Sequence, residues 1–78
     1  MRKVYDIWAD GTRSLDVKIQ EMFLIWNCVI AQYGFDKVGF HKIEQLGCAV
    51  RITFEAEERT AKEIGHRFNK EVKETREY

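Results

Sequence analysis

LDVKIQ, residues 15–20, decides which fold this sequence predicts, because two periodicities compete there. Its apolar and polar residues alternate with period two, as in a half-buried strand, and Val17 and Ile19 are β-branched. The same segment also continues the helical spacing of the apolar positions that follow it. Neither Thr12 nor Ser14 has the Glu or Gln three residues later that completes a capping box. We therefore favour a strand and keep the helix as the competing interpretation.

A strand at residues 15–20 forms a hairpin with the segment before it. KVYDIWA, residues 3–9, is rich in strand-forming residues, and the turn signal DG follows it. With DGTRS as a five-residue loop, Asp6 lies opposite Lys18, whereas shorter loops oppose two aspartates or pair aspartate with leucine. This register places Trp8 on the same face as that charged pair.

The segment EMFLIWNCVIAQ, residues 21–32, predicts a helix that we place at Glu21–Tyr33, ended by Gly34. Nine of the twelve quoted residues are apolar, so they cannot all face one core. The flanking positions are either ordinary core or a dimer interface, which would also help a domain this small. These positions are Leu24, Ile25, Cys28 and Ala31.

Two further strands are predicted in the second half of the chain, at residues 37–45 (KVGFHKIEQ) and 48–55 (CAVRITFE). Their alternation divides the side chains between two faces. One face, which we expect the helices to cover, carries Gly39, His41 and Ile43 with Val50 and Ile52. The opposite face carries Val38, Phe40 and Lys42 with Arg51.

A charged helix from about residue 56 to residue 77 follows these strands, with a narrow apolar stripe that contains Gly65. Glycine inside a helix costs about 1 kcal/mol relative to alanine, so its presence indicates that another element approaches closely. The predicted fold is α+β: two ββα units form a four-stranded antiparallel sheet with two helices on one face. The alternative is βαββα, with a longer first helix and a three-stranded sheet. Residues 1–78 make one small domain.

The sheet face that the helices leave open is the predicted partner-binding surface. It carries aromatic and basic residues, namely Trp8, Lys18, Phe40, Lys42 and Arg51. Tryptophan and arginine are the favoured anchors of protein interfaces, and rings among cations also suit single-stranded nucleic acid. Thirteen basic and thirteen acidic residues leave no net charge to attract phosphates from a distance.

These residues therefore favour a non-enzymatic protein-binding module, a small dimeric regulator or inhibitor that masks a partner protein. Phages and mobile elements encode regulators of this size, and a second copy of the chain is the simplest partner. Single-stranded nucleic acid binding through the open sheet face is the alternative.

Catalytic and metal-binding motifs are absent from the sequence. His41 and Cys48 fall on neighbouring strands, but both are expected beneath helices, so we interpret them as core residues. Neither cysteine belongs to a Cys-x-x-Cys pair, both are expected to be buried free thiols, and the glycines form no phosphate-binding loop. We expect no enzyme activity, metal or cofactor. The sequence also lacks a signal peptide and an apolar run of membrane-spanning length, which favours the cytoplasm.

Overall fold

The computed structural model describes residues 1–75, which form three long strands, two helices and one short strand. In chain order the elements are β1 (Arg2–Ala9), α1 (Leu15–Tyr33), β2 (Val38–Leu46), β3 (Ala49–Glu57), α2 (Glu58–Arg67) and β4 (Val72–Glu74). The strands make one antiparallel sheet in the order β2-β3-β1-β4. No helix within residues 1–75 is long and apolar enough to cross a membrane.

Both helices cover the same face of the sheet, and the core lies between the two layers. Alternate residues of β1 and β3 supply the sheet side of this core, because successive side chains of a strand point to opposite faces. The core consists of Tyr5, Ile7, Ala9, Met22, Ile25, Val29, Val38, Val50, Ile52, Phe54, Ala56, Ala61 and Ile64. The α+β prediction, with four antiparallel strands and two helices on one face, is confirmed.

The predicted strand at residues 15–20 is wrong, because α1 begins at Leu15. Ser14 has an extended backbone, and its side chain accepts a hydrogen bond from the Val17 backbone N–H at 3.3 Å. A serine can cap a helix without an acidic residue three positions later. The missing capping box therefore did not exclude a helix that begins at Leu15. Because this segment is helical, the predicted pairing of Asp6 with Lys18 does not occur.

The fourth strand instead comes from the end of the chain, where a second helix to residue 77 was predicted. Helix α2 ends at Arg67, and Asn69 then adopts a left-handed backbone with φ of 53° that reverses the chain. The strand β4 follows and pairs with β1. Residues 76 and 77 of the predicted helix lie outside the described residues.

The predicted close approach at Gly65 is confirmed. A Cβ atom at this position would lie 2.9 Å from the Lys70 carbonyl oxygen and 3.0 Å from Cγ2 of Val72. The Lys70 backbone N–H also donates to the Gly65 carbonyl at 2.9 Å. The glycine therefore lets the chain fold back over α2 and deliver β4 to the sheet.

A β-bulge in β2 changes which side chains this strand presents to each face. Phe40 pairs with Phe54 and Lys42 with Thr53, so His41 is an extra residue. The faces predicted for Lys42 and Ile43 hold beyond the bulge. For the residues before the bulge the predicted faces are inverted, so Val38 and Phe40 lie on the helix-covered face.

Candidate functional site

Three surfaces of the protein are candidates for binding, and the first is the sheet face that the helices leave uncovered, called here the open sheet face. All four strands contribute to it. The register assigns to it Val4, Asp6, Trp8, Lys42, Glu44, Arg51, Thr53, Glu55 and Lys73.

Arg51 is the centre of a network on the open sheet face. Its guanidinium lies 5.1 Å from the ring centroid of Trp8, within the range of a cation–π contact. It also donates a hydrogen bond to Glu44 and lies 3.9 Å from the Asp6 carboxylate. The buried Thr53 hydroxyl donates to that carboxylate at 2.7 Å. Arg51 and Trp8 thus contact each other, and the carboxylates of Glu44 and Asp6 lie next to Arg51.

The hydrogen bond from Arg51 lowers the pKa of Glu44, and Lys42 contributes in the same direction from 3.4 Å. The Glu44 carboxylate is therefore charged at neutral pH. Negative charge from Glu44 and Asp6 offsets the positive charge of Arg51 and Lys42. This surface presents no uniform potential that would attract a polyanion.

Of the five residues predicted for partner binding, Trp8, Lys42 and Arg51 lie on the open sheet face. Lys18 does not: it belongs to α1, is only 2% exposed, and its Nζ donates to the carbonyls of Gly11 at 2.9 Å and Cys48 at 2.5 Å. It ties the loop after β1 to the turn between β2 and β3.

Phe40 also lies elsewhere, because the bulge at His41 turns it to the helix-covered face. Its ring centroid is 5.5 Å from that of Trp26 on α1, and the Phe40 side chain remains 47% exposed. The sequence pattern could not reveal this inversion, since a bulge depends on pairing with the neighbouring strand.

The second surface is the outer ridge of α1, defined by Val17, Leu24, Cys28 and Ala31. These residues are seven, four and three positions apart, which places them on one side of the helix. All four are exposed, and Leu24 is 64% exposed. Ile25, which we had grouped with them, is instead 8% exposed and belongs to the core. Val17 was not predicted to belong to this surface, because residue 17 was predicted to lie in a strand.

The third surface is the aromatic edge, formed by Phe23 and Trp26 of α1 with Phe40 of β2. Phe23 is 52% exposed and lies one helical turn before Trp26. Trp26 contacts both Phe40 and the buried ring of Phe54, whose centroid is 5.8 Å away. Trp26 therefore connects the exposed ring of Phe40, on the edge strand β2, to the buried core.

Cys28 and Cys48 are both exposed free thiols, so the prediction of buried cysteines is wrong. Cys48 lies in the tight turn between β2 and β3. His41 lies at the bulge rather than beneath a helix, and its Nε2 is 3.9 Å from a Glu55 carboxylate oxygen. In the part of the chain that the structure describes, no three His, Cys, Asp or Glu side chains group to hold a metal ion.

Known proteins add no functional assignment to these surfaces. No family model, curated protein or solved structure matches this chain. The fold and its surfaces define a small α+β domain with an internally paired sheet face and an apolar helix exterior. Its function has to be inferred from the chemistry of those surfaces.

Proposed function

We propose that this protein is a non-enzymatic protein-binding module, a regulator or inhibitor that acts by masking a surface of a partner protein. The contact surface is the outer ridge of α1. One observation carries the proposal: residues 22–33 contain no charged residue, although Leu24 and its ridge neighbours face solvent. Exposed apolar surface of this kind marks interaction sites in soluble proteins.

The length of the ridge suits an elongated apolar groove. From Val17 to Ala31 the helix rises about 21 Å at about 1.5 Å per residue. Burying a leucine side chain completely contributes about 1.5–3 kcal/mol, so the four residues together can supply several kcal/mol to an association. The partner surface must be largely apolar as well, because the four ridge residues carry no charge and Cys28 is only a weak hydrogen-bond donor. Glu21, which lies on the same side of the helix between Val17 and Leu24, is paired with Arg13 and Lys70.

Single-stranded nucleic acid binding is the alternative function, and the stacked pair of Trp8 and Arg51 on the open sheet face is the observation in its favour. A base that stacks on this face of Trp8 would have to displace the Arg51 guanidinium from the ring. A titration with mixed oligonucleotides at low salt, followed by tryptophan fluorescence, tests it. We expect no change, and quenching that salt reverses would favour the alternative.

We place the protein in the cytoplasm as part of this proposal. Cys28 and Cys48 are exposed and not bonded to each other. Exposed thiols persist in a reducing compartment and tend to oxidise outside it. The placement is tested by fractionating the cells that contain the protein.

Site-specific photocrosslinking tests the proposed contact. The photoreactive amino acid p-benzoylphenylalanine replaces Leu24 on the ridge or, as the matched control, exposed Arg59 on the outer side of α2. We expect a discrete covalent adduct from position 24 and none from position 59. Excess unlabelled chain should suppress that adduct, whereas an excess of the Leu24→Glu variant should not. Identical adducts from both positions, or suppression by both competitors, would contradict the proposal.

A further inference from the structure

The two edges of the sheet differ in how they are protected. Strand β4 has three residues, and such a short edge offers little backbone for another strand to pair with. Strand β2 has nine residues, and within residues 1–75 it pairs only with β3. Its outer side therefore presents a row of backbone N–H and C=O groups beside the aromatic edge.

The side chains of β2 select one way in which this edge can pair with itself. In an antiparallel pair related by a two-fold axis, the residues on either side of the axis face each other. An axis at Lys42 opposes two lysines, and an axis at Glu44 opposes two glutamates. An axis at Ile43 places Lys42 opposite Glu44 of the second copy, and Glu44 opposite Lys42 of the second copy. Only this register pairs opposite charges, both on the open sheet face.

The bulge limits the pairing without preventing it. Residues 42–46 are regular, so the three pairs centred on Ile43 need no distortion. If the second copy accommodates His41 as β3 does, Phe40 comes to lie opposite Gln45 of the second copy, both on the helix-covered face.

The aromatic edge lies beside this junction. A two-fold axis perpendicular to the sheet keeps the α1 helices of both copies on one face. Phe40, which is 47% exposed in one chain, then lies next to the second copy, opposite Gln45 rather than opposite its own counterpart. The second chain therefore covers part of a ring that a single chain leaves in solvent.

We propose that two copies of this chain associate through β2, with Ile43 at the two-fold axis, to form one continuous sheet of eight strands, four from each copy. The outer ridge of α1 takes no part in this contact. The dimer thus displays two ridges, and the self-association and the ridge contact can be disproved separately.

Charge reversal and mixing test the register. Sedimentation equilibrium should give a dimer for the unmodified chain. Lys42→Glu and Glu44→Lys each oppose like charges at both symmetric pairs and should raise the dimer dissociation constant on the order of tenfold or more. An equimolar mixture of the two variants should restore the dimer, because position 42 of each copy then carries the charge opposite to that at position 44 of the other copy. This restoration also separates a lost contact from a lost fold, since unfolded variants do not complement each other.

A disulfide reports the axis directly. In a chain with Cys28→Ser and Cys48→Ser, Ile43→Cys should form an intermolecular disulfide under mild oxidation, because facing Cα atoms lie about 4.5–5.5 Å apart. Gln45→Cys is the control on the same face: it lies about 13 Å from its own counterpart and should not crosslink. A monomeric mass across the concentration series, equal crosslinking at both positions, or a mixture that stays monomeric would overturn the proposal.

Discussion

Both helices bury apolar side chains against the sheet, but their solvent-exposed sides differ in polarity. Helix α2 presents charged and polar side chains to solvent, and these pair along the helix: Lys62 lies 3.4 Å from Glu58, and Arg59 lies 3.8 Å from Glu63. The bond from Lys62 lowers the pKa of Glu58. Helix α1 exposes Leu24 and Phe23 instead, on a segment without charge.

The difference shows that the outer side of α1 is not needed for the fold. Both helices are held by apolar residues that point inward, such as Met22 on α1 and Ile64 on α2. The sheet would accept α1 equally well with a charged exterior, as it accepts α2. The fold does not require this apolar exterior, which is why our functional proposals concern α1 and the neighbouring edge.

The largest expected effects test whether the buried sides of α1 and α2 contribute equally to the free energy of unfolding. Met22→Ala and Ile64→Ala should each lower the free energy of unfolding by about 2–5 kcal/mol, because both side chains are fully buried and leave cavities. Leu24→Ala and Lys62→Ala on the outer surfaces should change it by less than about 0.5 kcal/mol. Urea unfolding measures all four. A tolerated Ile64→Ala would break the comparison, since α2 would then contribute little to the core.

A smaller effect is expected at Gly65, on the inner side of α2. Alanine is the better helix former by about 1 kcal/mol, yet Gly65→Ala should destabilise the protein by about 1–3 kcal/mol. The added Cβ would collide with the Lys70 carbonyl and with Val72. The double variant Gly65→Ala/Val72→Ala removes only the second obstacle and should not regain the stability of Val72→Ala alone. Increased stability of Gly65→Ala in urea unfolding would show that the chain after α2 is not held this closely.

The smallest effect concerns Glu21, which links α1 to the segment after α2. It lies 2.8 Å from Arg13 and 3.4 Å from Lys70, and the hydrogen bond from Arg13 lowers its pKa below the usual 4.5. A lowered pKa in the folded state adds stability above the usual pKa, and this stability is lost as the pH falls through the lowered value.

Glu21→Gln should therefore reduce the free energy of unfolding near pH 7 by up to about 1 kcal/mol and reduce the loss of stability between about pH 5 and pH 3. Thermal unfolding at several pH values measures both. If the variant and the unmodified chain lose stability in parallel over that interval, the ion pair does not join the two parts of the protein.

Local sequence was sufficient where one periodicity dominated. The helix at residues 21–33 and the strands β1, β2 and β3 were all predicted to within a few residues. The α+β class and the placement of both helices on one face follow from these elements. On the open sheet face, Trp8, Lys42 and Arg51 were placed correctly because each lies in a regular part of its strand.

Local sequence was insufficient where two structures satisfied the same pattern. Residues 15–20 fit a strand and a helix equally, and the Ser14 cap together with burial of Lys18 against two carbonyls favours the helix. The segment after α2 carries alternating charges that suit a solvated helix, yet three of its residues pair with β1. In both places, contacts with distant residues outweigh the local preference.

The sequence by itself determined most of the inward-facing apolar positions, the class of the fold and the absence of charge from residues 22–33 of α1. These depend on residue type and on spacing along one element. Only the tertiary structure decided that Lys18 is buried, that Phe40 joins the aromatic edge and that β4 completes the sheet. Each of these results from a bulge, a cap or a strand pairing, which arises only when segments far apart in sequence meet, and no periodicity within a single segment records it.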